Sequence, residues 1–123
     1  MKIKVYEYKT CSTCQKAIKF LDSKKIQYDR IAIVDQPPTL SELKKMLGYI
    51  KARGGTFKNL FNTSGIQYRE LGISEKMKNG LKEEEALRML STNGKLIKRP
   101  FLLTDSNGAV GFQEDLWKQL VRS

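Results

Sequence analysis

The chain has 123 residues, 40% of them hydrophobic, a length and composition that suit one domain with its own core. Two cysteines three residues apart cannot form the disulfide framework of a small secreted domain, and the longest aliphatic run, Ile31-Ala32-Ile33-Val34, is too short to span a membrane, so a cytoplasmic location is expected. Net charge is +10, and the absence of histidine denies the chain Ser-His, Cys-His and His-metal chemistry, so no metal site is expected.

Lys2 to Tyr8 alternates polar and apolar residues, with Ile3, Val5 and Tyr8 available to a core, and predicts a strand. Small polar residues follow through Thr13. Cys14, Ala17, Ile18 and Leu21 then recur at i, i+3, i+4 and i+7, the buried stripe of an amphipathic helix that starts at Cys11. The β-branched run Tyr28 to Val34 predicts a second strand, broken by Asp35-Gln36-Pro37-Pro38. Thr39-Leu40-Ser41-Glu42 has the form of a capping box and opens another helix, with Leu43, Met46 and Leu47 at helical spacing. After a basic loop, Lys51 to Gly55, no strand pattern occurs up to Leu90. Short helical pieces such as Phe57 to Phe61 and Glu83 to Leu90 fill that stretch. Phe101 to Thr104 and Ala109 to Phe112 read as a hairpin turning at Asn107-Gly108, and Gln113 to Val121 as a closing helix.

The predicted order is β-α-β, a helical insert over residues 39–95, then β-β-α, all within one domain spanning residues 1–123. A parallel first pair and an antiparallel second pair joined in one mixed sheet is the economical packing, which is the thioredoxin/glutaredoxin-like α/β plan.

The strongest chemical signal is Cys11-Ser12-Thr13-Cys14 at a strand-to-helix turn. Cys11 at the helix start would meet unpaired backbone N–H groups and the positive end of the helix dipole, which favour a thiolate at neutral pH; Cys14, a turn inside, gains less. Cys11 is therefore the expected nucleophile and Cys14 the resolving thiol. Two plainer readings stand beside this: Cys14 as a small buried hydrophobe on the helix stripe, and the pair as half of a zinc site shared by two chains. A phosphatase-type Cys-x5-Arg loop is excluded, because the position after five residues is Ala17.

Charge is uneven. Residues 1–60 carry 13 Lys/Arg against 5 Asp/Glu, a surplus of 8, whereas residues 61–123 carry 10 against 8, a surplus of 2. Lys44, Lys45, Lys51, Arg53 and Lys58, with Tyr49 and Phe57 for stacking, could contact nucleic acid directly, but no recognition motif accompanies them and a solvated helix face is the expectation.

With Cys11-Ser12-Thr13-Cys14-Gln15-Lys16 opening the first helix, Asn62-Thr63-Ser64-Gly65 followed by Tyr68-Arg69-Glu70-Leu71-Gly72, and Lys98-Arg99-Pro100 before the hairpin, the chain resembles the ArsC/Spx family over nearly its whole length. Members are similar to glutaredoxins with a helical insertion. Some reduce arsenate with glutathione and glutaredoxin; the Spx regulators bind the C-terminal domain of the RNA polymerase α subunit in a redox-dependent way. The resemblance implies that Cys11 is the nucleophile, that Cys14 is the second cysteine of an Spx-type switch, that Arg99 is one of three oxyanion-holding arginines, and that Pro100 is cis. Asn62 and Gln113 occupy the other two arginine positions. One guanidinium is little charge for an arsenate dianion beside a thiolate, so arsenate reduction is the less expected activity.

Arg99 is expected to act with the two cysteines, and Lys9, Ser12, Thr13, Asn62 and Pro100 to border the substrate. The reading is a glutaredoxin-like thiol-disulfide oxidoreductase with no bound cofactor and glutathione as co-substrate. The alternative is an Spx-like regulator of RNA polymerase, with Gly54-Gly55 near its polymerase contact.

Overall fold

A computed structural model describes residues 2–122. Strand β1 (Lys4–Glu7) leads into helix α1 (Ser12–Ser23) and strand β2 (Asp29–Ala32). Helices α2 (Leu40–Ala52), α3 (Ile66–Glu70), α4 (Ile73–Lys78) and α5 (Glu83–Thr92) follow, with 3-10 turns at Phe57–Leu60 and Gly94–Leu96. Strands β3 (Phe101–Leu103) and β4 (Gly108–Val110) and helix α6 (Glu114–Leu120) close the chain. The sheet order is β2-β1-β3-β4. β1 runs parallel to β2, with Val5 opposite Arg30, and antiparallel to β3, with Val5 opposite Leu102. The expected mixed sheet is therefore present.

Because successive strand residues face opposite sides, the sheet feeds two cores. Val5, Leu102 and Ala109 turn towards α1 and α6, where they meet Ala17, Leu21 and Trp117. Tyr6, Phe101 and Leu103 turn the other way, towards Leu43, Met46 and Leu47 of α2 and Leu87 and Leu90 of α5. The sequence reading gave one apolar side to the first strand and assigned Tyr8 to it. Tyr8 packs half-buried against the second core, and the fully buried tyrosine is Tyr6, since helices cover the second face as well. Its ring meets Phe101 edge-on at 5.5 Å, and its hydroxyl donates to Glu42 Oε1 at 2.6 Å.

Glu42 joins the sheet to the α2 start. The Thr39 hydroxyl accepts from the Glu42 N–H, the Glu42 carboxylate accepts from the Thr39 N–H, and Lys4 Nζ lies 3.0 Å from Glu42 Oε2. The expected capping box is thus in place. Burial opposes ionisation of this carboxyl, but the donors from Tyr6, Thr39 and Lys4 outweigh it and hold the group below its usual range.

The hairpin differs from its expectation. The loop is Thr104 to Asn107, with Gly108 already paired to Leu103, and Asn107 does not adopt the left-handed conformation of a two-residue Asn-Gly turn. The buried Thr104 hydroxyl accepts from the Ser106 and Asn107 N–H groups and so sets the turn one residue earlier. Arg53, at the end of α2, donates to Asn107 Oδ1 and to the Gly108 carbonyl. Lys51 pairs with Glu83, and Tyr49 and Phe57 pack half-buried against the core, so neither aromatic stands free as a stacking platform. Among the described residues no helix is long and apolar enough to cross a membrane.

Candidate functional site

Cys11 ends the turn after β1, where its N–H donates to the Tyr8 carbonyl at 3.0 Å. Its extended backbone (φ −88°, ψ 113°) makes it the N-cap of α1, and its half-buried sulfur accepts the Cys14 N–H at 3.2 Å. A cysteine here replaces the serine or aspartate that usually caps a helix, so the Cys11 sulfur itself satisfies one of the orphan donors of the first turn. Both cysteines are free thiols. Cys14, one turn on, is fully buried. Burial first, and then the neighbouring Cys11 sulfur, push the Cys14 thiol up to about 12, with Arg99 pulling weakly the other way. The two thiols differ in exposure, Cys11 half-buried and Cys14 fully buried.

Cys11 opens into a cavity of about 590 Å³ at the junction of both faces of the sheet. From its own side come Ser12 and Thr13, both exposed. From the far side come Asn62, Ser64, Lys98 and Arg99. An isolated antiparallel bridge, Phe61 to Ile97, lays the two distant segments together, with the Asn62 N–H donating to the Leu96 carbonyl at 2.7 Å and the Lys98 N–H to Leu60 at 2.8 Å. This bridge brings Asn62 and Arg99 to one rim. The Arg99 guanidinium stacks over the Tyr8 ring at 4.5 Å and also borders a second cavity of about 510 Å³ that continues to Glu70 and Lys95. The Arg99–Pro100 bond is cis, as the resemblance implied.

Of the expected site residues, Cys11, Ser12, Thr13, Asn62 and Arg99 share the cavity wall. Gln113 does as well. Lys9 and Pro100 do not line it: Lys9 is exposed, with its carbonyl taken by the Gln15 amide at 3.3 Å, and Pro100 is buried. The sequence reading missed Lys98, a second cation on the wall, although it adjoins Arg99 in the motif. It also missed Gly111, whose positive φ of 75° favours glycine and whose carbonyl accepts the buried Trp117 indole N–H at 3.0 Å. Among the described residues no cluster of acidic or cysteine side chains could hold a metal ion.

The ArsC family profile matches residues 6–120. The chain belongs to the ArsC family. An uncharacterized Bacillus subtilis protein, YusI, is 40% identical over 119 residues, covering 97% of this chain and 98% of its own. An arsenate reductase of Neisseria meningitidis is 30% identical over 112 residues, covering 89% of each chain. The global transcriptional regulator Spx of Streptococcus mutans is 26% identical, covering 86% of this chain and 73% of the regulator. A crystal structure of an ArsC-related protein from Bacteroides fragilis superposes with a TM-score of 0.86 at 44% identity, covering 98% of both chains. The fold is the thioredoxin-like fold of this family, and its relatives include both reductases and regulators.

Proposed function

We propose that this ArsC family protein is a thiol-disulfide oxidoreductase in which Cys11 attacks and Cys14 resolves. The observation that carries the reading is the second thiol: a buried, protonated Cys14 directly behind a half-exposed Cys11 whose sulfur caps the helix. The Cys11 thiolate attacks one sulfur of a disulfide, forming a mixed disulfide and expelling the other half as a thiolate. Cys14 then attacks the Cys11 sulfur, its proton going to the departing thiolate, and the dithiol ends as a Cys11–Cys14 disulfide after giving up two electrons. The contribution of the Cys11 sulfur to raising the Cys14 thiol, second to burial, falls away once that sulfur enters the mixed disulfide. Cys14 thus becomes easier to ionise at the step that needs its thiolate. An external thiol such as glutathione supplies the electrons that restore the pair.

Arg99 and Lys98 give the cavity positive potential for an anionic substrate such as a glutathione adduct, while Asn62, Ser12, Thr13 and Gln113 offer neutral hydrogen-bonding groups. Arsenate, which needs dense neutralising charge beside the sulfur, fits this wall less well. The test is turnover of a glutathionylated peptide and of arsenate, side by side, by the same preparation. Peptide reduction well above arsenate reduction is expected. Arsenate reduction matching or exceeding it overturns the reading. Failure with both, together with redox-dependent capture of the RNA polymerase α C-terminal domain, favours the regulator.

A further inference from the structure

Phe112 borders two cavities. On one side lies the Cys11 cavity; on the other, Phe112 and Phe20 floor a separate cavity of about 540 Å³ walled by Lys16, Lys19, Lys24 and Lys118, with Glu114 as its one carboxylate. Lys16 and Lys19 are stacked at i, i+3 on α1, with Ser23 at i+7 on the same stripe. Lys16 stands five residues beyond Cys11, about 7.5 Å along the helix axis at roughly 1.5 Å per residue. The basic cavity therefore begins within a turn and a half of the reactive sulfur.

Three of these four lysines lack local compensation. Glu114 is engaged by Lys118 at 3.6 Å, and the α1 carboxylate, Asp22, accepts the Tyr28 hydroxyl at 2.8 Å. Among the described residues, Lys16, Lys19 and Lys24 take part in no ion pair. Like charges a turn apart repel, and an anion seated among them relieves that repulsion.

We propose that this basic cavity docks an acidic polypeptide segment of the partner whose sulfur reaches Cys11. The inference rests on the thiol-disulfide reading and names the class of substrate: proteins or peptides with acidic residues close to the reacting cysteine. Two observations favour polypeptide over nucleic acid. The rings of Phe20 and Phe112 are packed on each other at 5.6 Å, and Phe112 meets Trp117 edge-on at 5.1 Å, so they form an apolar floor rather than an open stacking face. An occupant that continues past Phe112 into the neighbouring cavity must also carry a sulfur, which a polypeptide does and a nucleic acid does not.

The experiment uses two glutathionylated peptides of equal length, one acidic and one neutral around the cysteine, together with their serine analogues, which bind without reacting. Wild-type protein is expected to reduce the acidic peptide at least about tenfold faster at low ionic strength, an advantage that shrinks in about 1 M salt, where the Debye length falls to about 3 Å. Lys16→Glu combined with Lys19→Glu is expected to abolish the preference while leaving the neutral peptide's rate unchanged, since both side chains are exposed. The acidic serine analogue, labelled for fluorescence polarisation, should bind wild type and lose at least about tenfold in affinity to the double variant. If neither peptide is reduced yet the acidic analogue binds through these lysines, the docking surface stands and the oxidoreductase reading falls. Retained preference and affinity in the double variant overturn the docking proposal. So does displacement of the acidic analogue by a single-stranded oligonucleotide of equal charge at equal or lower concentration.

Discussion

The two faces of the sheet are built differently, and the cavity draws on both. The α1 and α6 face is made from elements adjacent to the strands they cover, and it holds Cys11 through a single local device, a helix N-cap. The opposite face is a larger core of helices inserted between β2 and β3, and it delivers Asn62, Lys98 and Arg99 through a long-range bridge between Phe61 and Ile97. Cys11 is thus positioned by a few neighbouring residues, whereas the cavity wall facing it depends on packing across some sixty residues of chain. Damage to one face should be separable from damage to the other.

The largest effect is expected at the sulfur itself. Wild-type protein should take up one equivalent of an alkylating reagent in the native state at neutral pH, because Cys14 is fully buried and its thiol is pushed up to about 12. Cys11→Ser should lower native-state labelling at least about a hundredfold, read by intact mass. Rapid labelling of both cysteines in the folded protein contradicts the inequality of the two thiols.

On the same face, Trp117→Ala removes a fully buried indole and its hydrogen bond to Gly111. A loss of about 3 to 5 kcal/mol in denaturant unfolding is expected. On the opposite face, Thr39→Ala removes the α2 cap and should cost about 1 kcal/mol while leaving the Cys11 labelling rate unchanged. A change in that rate would show that the two faces do not act independently at the nucleophile. The smallest effect is a pH dependence. Glu42 is held below the usual carboxyl range in the folded state, so its contribution to stability is present above the unfolded value and is lost as pH falls through the folded one. Glu42→Gln should flatten that acid limb of a stability-against-pH curve; an unaltered slope would remove Glu42 as its source.

Where a feature is local, the sequence revealed it. The stripe Cys14, Ala17, Ile18 and Leu21 is buried as its spacing required, and the capping box at Thr39 is formed. Cys11 could be placed at a helix start for the same reason. Helices α3 and α4, of five and six residues, are too short for a periodic signal and could be anticipated only as unspecified helical pieces. The hairpin shifted by one residue because the Thr104 hydroxyl organises the loop, a competing side-chain bond that the Asn-Gly pair concealed. A close approach of two segments was equally hidden: a Cβ on Gly94 would collide with the Ile33 carbonyl oxygen, so the turn before β3 depends on that glycine. Asn62 and Arg99 entered through family resemblance, since nothing in the local pattern of either segment requires them to meet. Lys98 and Gly111 reach the wall through the same kind of long-range pairing; Lys98 lay within the quoted motif, but nothing local assigned it to the wall.

The most direct measurement is intact-mass analysis of Cys14→Ser and wild-type protein after exposure to a glutathionylated peptide. The variant should accumulate a stable mixed disulfide on Cys11, while the wild type passes through that adduct to an internal disulfide. An adduct equally persistent in both proteins, or one located on Cys14, would contradict the assigned roles.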